Sequence, residues 1–230
     1  MADKKRAGDL GGAALIFDLD GTLVDTADDL AASMNHALSG AGLSPVPAAD
    51  VRHLVGHGAR RMLMRGFEVS GGRAADDTEL NAALARFLEH YGDNIAVHSR
   101  PFDGAVAMIE AFRARGARCA ICTNKREAMA VLLMETLGLA SLFDAIVGAD
   151  TTGAAKPDPA PVRLCLERTA ADRAVFIGDS DTDIRAAKAA GLPSLIADFG
   201  YGPLTLADEA TFLFADYREA PDLIERALGL

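Results

Sequence analysis

The chain has 230 residues, half of them apolar and about a quarter charged, which is too hydrophobic for intrinsic disorder and enough for one sizeable domain or a core with a small partner. Its 23 Lys and Arg against 33 Asp and Glu give a formal charge of −10, with no Trp and 6% aromatics, so nucleic-acid binding is disfavoured electrostatically and stacking platforms are scarce. No apolar run approaches the ~20 residues of a membrane span, and three cysteines, Cys119, Cys122 and Cys165, form no secreted disulfide framework, which points to a cytoplasmic protein.

In chain order, the basic start Lys4-Lys5-Arg6 leads into no apolar stretch, and residues 1–12 read as a mobile tail. Ala13 to Phe17 is a short apolar run that stops at Asp18, the pattern of a buried parallel strand meeting a functional loop. From Thr26 to about Gly92 only helical spacing is visible, with Leu30, Met34 and Leu38 on one stripe and Leu80, Leu84, Phe87 and Tyr91 on another. Thr26-x-x-Asp29 reads as a capping box opening the first of these helices. A second apolar run, Arg118 to Cys122, ends in Thr123-Asn124-Lys125, and a third, Ala174 to Ile177, ends in Gly178-Asp179-Ser180, with helical patterns between. Strands alternating with helices predict a parallel sheet whose polar strand ends converge on one site.

Four clusters carry possible chemistry. Asp18 and Asp20, spaced i, i+2 at a buried strand end, imply a metal, a shared proton or a cationic partner, although a solvated turn would also place acids there. Thr123 and Asn124 suit either a phosphoryl oxygen or a helix cap. Lys156 is stiffened by Pro157, so it can offset phosphate charge, though a lone Lys before Pro is usually solvated. Asp179, Asp181 and Asp183 offer oxygen ligands at a density that suits a hard cation such as Mg²⁺, while Ser180-x-x-Asp183 also reads as a helix cap.

In this order the four clusters resemble the motifs of the haloacid dehalogenase superfamily of phosphohydrolases, over nearly the whole chain. The resemblance implies an α/β fold: a Rossmann-like doubly wound parallel sheet core, residues 13–25 and 97–230, with a small all-helical cap, residues 26–96, inserted after the first strand. It implies Asp18 as the nucleophile that forms an aspartyl-phosphate and Asp20 as the acid that protonates the leaving oxygen and then activates water. Thr123, Asn124 and Lys156 would hold the transferring group. Asp18, the main-chain carbonyl of Asp20 and Asp179 would bind Mg²⁺, with Asp183 in support. Asp25-Thr26-Ala27-Asp28-Asp29, Val55-Gly56-His57-Gly58, Thr123-Asn124-Lys125 and Phe199-Gly200-Tyr201-Gly202 look most like bacterial phosphoglycolate phosphatases. The implied partner is therefore a small phosphorylated metabolite, with neither nucleic acid nor membrane involved.

His57 and Arg60 are the candidates for touching a substrate carboxylate from the cap. A phosphatase for another metabolite, such as an amino-sugar 6-phosphate or pyrophosphate, a phosphomutase and a phospho-receiver signalling module are the rival readings. The receiver is disfavoured because it lacks Asp-x-Asp followed by a cap. Two bland expectations complete the reading: His53 and His57 lack a third zinc ligand, and Cys119 and Cys122, three apart on a strand, point to opposite faces.

Overall fold

The computed structural model describes residues 9–56 and 58–230. Strand β1 (Ala13–Phe17) is followed by a two-residue strand β2 (Val24–Asp25) and four helices: α1 (Ala27–Ser39), α2 (Ala48–Arg52), α3 (Ala59–Gly71) and α4 (Asp77–Asp93). Strand β3 (Arg100–Pro101) then pairs antiparallel with β2. The remainder alternates: α5 (Ala105–Ala114), β4 (Arg118–Cys122), α6 (Glu127–Thr136), β5 (Ala145–Val147), α7 (Ala160–Thr169), β6 (Arg173–Gly178), α8 (Asp181–Ala190), β7 (Ser194–Ala197), β8 (Phe212–Phe214) and α9 (Ala220–Ala227).

The sheet order is β5-β4-β1-β6-β7-β8, with every pairing parallel as the residue pattern predicts, so the fold is the Rossmann-like α/β class that the resemblance implies. β1 lies centrally between β4 and β6. The chain winds outward from β1 through β4 to β5 on one side and returns to β6 on the other. Ligands bind beyond the carboxyl ends of strands where such an order reverses, which here means the ends of β1, β4 and β6.

Both sheet faces are buried, which explains why the strands read as unbroken apolar runs. Leu15, Phe17, Cys119 and Ile121 point to one face, and Ala14, Ile16, Ala120 and Cys122 to the other. The two cysteines thus lie on opposite faces, as their spacing predicts. The first face is continuous through Leu19, Leu23 and Val24 with the interior of α1 to α4, where Met34, Phe67 and Phe87 are buried. Each such side chain contributes about 1.5–3 kcal/mol, so the inserted helices share one apolar core with the sheet.

Two local expectations need correction. The tail expected over residues 1–12 is packed at its end: Leu10 is 0% exposed, and its N–H donates to the Arg115 carbonyl at 2.8 Å; residues 1–8 lie outside the described residues. The capping box of Thr26 and Asp29 is not formed, because both side chains are committed elsewhere. The Thr26 hydroxyl donates to Asp20 (2.6 Å), and Asp29 accepts from the N–H groups of His98 and Ser99 and from the Ser99 hydroxyl. The Tyr201 hydroxyl replaces the cap, accepting from the N–H groups of Thr26 (2.6 Å) and Ala27 (3.1 Å). The β2–β3 ribbon brackets the helical insert; two strands of two residues carry no periodicity for a sequence to show.

Candidate active site

Asp18 follows β1, Thr123 follows β4 and Asp179 follows β6, so the three central strands deliver their polar ends to one place. The long loop after β5 adds Lys156, which is buried with its Nζ 2.9 Å from Asp18 Oδ1 and 2.7 Å from Asp183 Oδ1. Asp183 opens α8 in a reciprocal capping box with Ser180. Its Oδ2 also accepts from the N–H of Asp179 at 3.2 Å, so both of its oxygens are occupied. The cap reading and the site reading of the Gly178-to-Asp183 segment therefore hold together.

Asp179 is held by the Thr22 hydroxyl on Oδ1 (2.9 Å) and the Tyr201 N–H on Oδ2 (3.2 Å). Gly21 and Gly200 enclose it: a Cβ at either position would run into the Asp179 carboxyl group. Gly21 also has φ +84°, a conformation that favours glycine.

Electrostatics make this corner short of positive charge. Burial, with the repulsion of Asp183 added, raises the Asp18 carboxyl to about 7 although Lys156 pulls it down. Asp179 is raised well above the usual carboxylate range, first by burial and then by Asp183 and Asp18. Burial opposes the ammonium of Lys156, but Asp18 and Asp183 outweigh it and hold its pKa above the ordinary lysine value. One oxygen from each of Asp18, Asp179 and Asp183 lies within 4.8 Å of the others. Three carboxylates facing one lysine leave a negative excess, and an all-oxygen donor set at this spacing fits a hard divalent cation. With Asp183 saturated by its hydrogen bonds, Asp18 and Asp179 are the carboxylates best placed to hold it.

A cavity with an empty volume of about 610 Å³, its mouth included, is lined by both Asp18 and Asp20. The Asp20 carboxylate accepts from Thr26 and is ion-paired with Lys125. Lys125 in turn donates to the Tyr91 hydroxyl (3.0 Å) from α4, 4.8 Å from that ring's centroid. Leu30, Met62 and Phe87 of the insert close the far wall. Asn124 bridges the two sides, its Nδ2 donating to the carbonyls of Lys156 (3.1 Å) and Gly56 (3.3 Å), while its Oδ1 is buried with no partner among the described residues.

Of the residues singled out from the sequence, Asp18, Asp20, Thr123, Asn124, Lys156, Asp179 and Asp183 come together. Arg60 does not: it is bound to Asp77 (2.7 Å) and Asn81 (2.6 Å) on the exposed side of α3 and lies outside the cavity wall. A residue two positions after a helix-starting glycine turns outward as readily as inward, and two acceptors on α4 decide the matter here. His57 lies outside the described residues. His53 contacts the Tyr201 carbonyl at 2.8 Å and belongs to no metal-binding group among the described residues. Lys125, Tyr91 and Tyr201 were not singled out as site residues, although Lys125 and Tyr201 lie in quoted runs; Tyr91 carried only the signal of an apolar stripe.

The comparisons with known proteins agree with this geometry. A family model described as haloacid dehalogenase-like hydrolase matches residues 15–197. The chain is 46% identical over 189 residues to a phosphoglycolate phosphatase of Mesorhizobium japonicum, covering 81% of this chain and 83% of that one. It is 43% identical over 215 residues to a phosphoglycolate phosphatase of Rhodospirillum rubrum, covering 91% and 89%. The crystal structure of a predicted phosphoglycolate phosphatase from Haemophilus somnus superposes with a TM-score of 0.84 at 26% identity, covering 94% and 98% of the two chains.

Proposed function

We propose, from the premise that the chain belongs to the haloacid dehalogenase-like hydrolase family, that it is a cytoplasmic, Mg²⁺-dependent phosphatase that hydrolyses 2-phosphoglycolate to glycolate and phosphate. The observation that carries this reading is the division of labour between two acids on one strand end. Both acids line the cavity, but Asp18 is paired with Lys156 beside the carboxylate cluster, whereas Asp20 is paired with Lys125. The substrate follows from the names of the relatives at 43–46% identity.

In the proposed cycle a carboxylate oxygen of Asp18 attacks phosphorus as the ester P–O bond breaks, and Asp20 gives its proton to the departing oxygen. Glycolate leaves. Asp20 then takes a proton from water, the water oxygen attacks phosphorus, and the bond to Asp18 breaks to release orthophosphate. Lys156, the Thr123 hydroxyl and Asn124 steady the phosphoryl oxygens. Asp18, the Asp20 carbonyl and Asp179 would hold Mg²⁺, which would supply charge neutralisation at the transferring group. Asp183 positions Lys156 and the backbone of Asp179 through the hydrogen bonds described above.

The helices of residues 26–96 serve in this reading as a cap on the core of residues 13–25 and 97–230, excluding water in the first step. Phosphate release measured with and without Mg²⁺ across 2-phosphoglycolate, hexose phosphates, an amino-sugar phosphate and pyrophosphate tests it. A preference for 2-phosphoglycolate of about 100-fold in kcat/KM, roughly 2.7 kcal/mol, is the expected result. A flat metal-dependent profile would refute the substrate, and a stable phosphoprotein without turnover would favour the receiver.

A further inference from the structure

Lys125 is a buried cation facing the cavity that the cycle above leaves without a task. Among the described residues the cavity wall holds two basic side chains, Lys125 and Arg126. The Arg126 side chain is 61% exposed and leans toward Asp150 at 3.9 Å, whereas that of Lys125 is 7% exposed and fixed between Asp20 and Tyr91. An ammonium has three N–H donors. Two are taken by Asp20 and Tyr91, and no partner for the third occurs among the described residues.

We propose that Lys125, held in place by Tyr91, binds the carboxylate of the substrate's leaving group and thereby selects for it; the inference rests on the reading of the substrate as 2-phosphoglycolate. Reach is the reason. The carboxylate carbon of 2-phosphoglycolate is two bonds from the ester oxygen, and that oxygen must lie against Asp20 to receive its proton. A two-carbon leaving group therefore places its carboxylate beside the Asp20 carboxyl, and Lys125 is the cation in contact with that group. The surrounding wall is apolar, with Leu30, Met62, Phe87 and Met129, so a charge-assisted bond formed there is only weakly screened. Tyr91 places the ammonium through its hydroxyl, and it belongs to α4, so recognition needs the insert seated on the core.

The test compares 2-phosphoglycolate with 2-hydroxyethyl phosphate, which has the same length and lacks the carboxylate, on the full chain with Mg²⁺. Wild-type protein should favour the former by about 100-fold in kcat/KM. Lys125→Met should bring the ratio to within about threefold, mostly through KM for 2-phosphoglycolate, Lys125→Arg should keep part of it, and Tyr91→Phe should lower it about tenfold. Equilibrium binding in an Asp18→Asn background, where the substrate stays intact, should show the same Lys125→Met loss, about 30-fold or more. Equal losses on both substrates, with the ratio retained, would overturn the inference and leave Lys125 as a partner of Asp20 alone. A wild-type ratio near one would instead refute the substrate reading, and the inference with it. Should Lys125→Met fail to fold, Tyr91→Phe and Lys125→Arg decide on the same ratio.

Discussion

The Nζ of Lys156 lies 2.9 Å from the Oδ1 of Asp18, so the candidate nucleophile and its neutralising cation are in contact before any phosphate arrives. The same ammonium reaches Asp183 at 2.7 Å, and all three side chains are buried. Each member of this triad is therefore as much a structural element as a chemical one.

Removing the cation exposes that dual role. Lys156→Met leaves two buried carboxylates facing each other, and breaking a buried pair this way costs about 3–5 kcal/mol. Chemical denaturation should show a loss of that order, together with loss of turnover. An undisturbed midpoint would contradict the triad as described.

Asp18→Asn keeps the shape and removes the proposed nucleophile. Turnover should fall by about 10⁴-fold, roughly 5.5 kcal/mol in the barrier, while circular dichroism stays that of the wild type. Mass spectrometry after rapid quenching should find phosphate on the wild-type chain and none on the variant. Wild-type turnover in Asp18→Asn would remove Asp18 from the mechanism.

The negative excess of the carboxylate cluster predicts a thermal response to metal. At 100 times its dissociation constant, Mg²⁺ should add about 2.7 kcal/mol of stability, a rise of roughly 5–10 °C for a domain of this size. Asp179→Asn should erase most of that rise. A wild-type melting curve indifferent to Mg²⁺ would argue against the site.

Two glycines two residues apart, Gly200 and Gly202, give a matched control. A Cβ on Gly200 would run into the Asp179 side chain, whereas one on Gly202 would meet nothing within 4 Å. Gly200→Ala should therefore weaken Mg²⁺ affinity tenfold or more, on the order of 1.4 kcal/mol, and Gly202→Ala should leave it within error. Equal effects would mean that the enclosure of Asp179 does not set its geometry.

A stability-linked titration lies away from the site. Asp144 accepts from the Cys119 N–H (2.9 Å) and from Arg118 and Arg113 (2.7 Å each). Burial alone would raise its carboxyl, but the Cys119 N–H and the two guanidinium groups prevail and hold it below the usual carboxylate value. A depressed folded pKa means that stabilisation is complete above about pH 4 and is lost as pH falls through the folded value. Asp144→Asn should be less stable than wild type at pH 7 and converge with it in acid; a constant gap across that range would refute the assignment.

Much of this arrangement was legible in the sequence for a simple reason: strands buried on both faces read as apolar runs, and an acid or hydroxyl at the end of such a run stands out. Ala13 to Phe17 and Arg118 to Cys122 match β1 and β4 residue for residue. What escaped was long-range pairing. Nothing local tells that Lys125 meets Asp20 across 105 residues, or that the Tyr201 hydroxyl takes over the helix cap for which Thr26 and Asp29 were the natural candidates. Thr26 illustrates the limit well: its type and position suit capping, yet a buried carboxylate nearby makes the stronger claim on its hydroxyl.

The order in which the site's parts occur along the chain bears on how it comes into being during translation. Asp18 and Asp20 leave the ribosome early, Lys125 and Lys156 follow, and Asp179 and Tyr201 come last. The central strand β1 must wait for β6, which begins at Arg173, to cover its second edge. A half-made chain therefore carries a candidate nucleophile with no cation beside it, and the site is assembled only once the chain has been made through Tyr201.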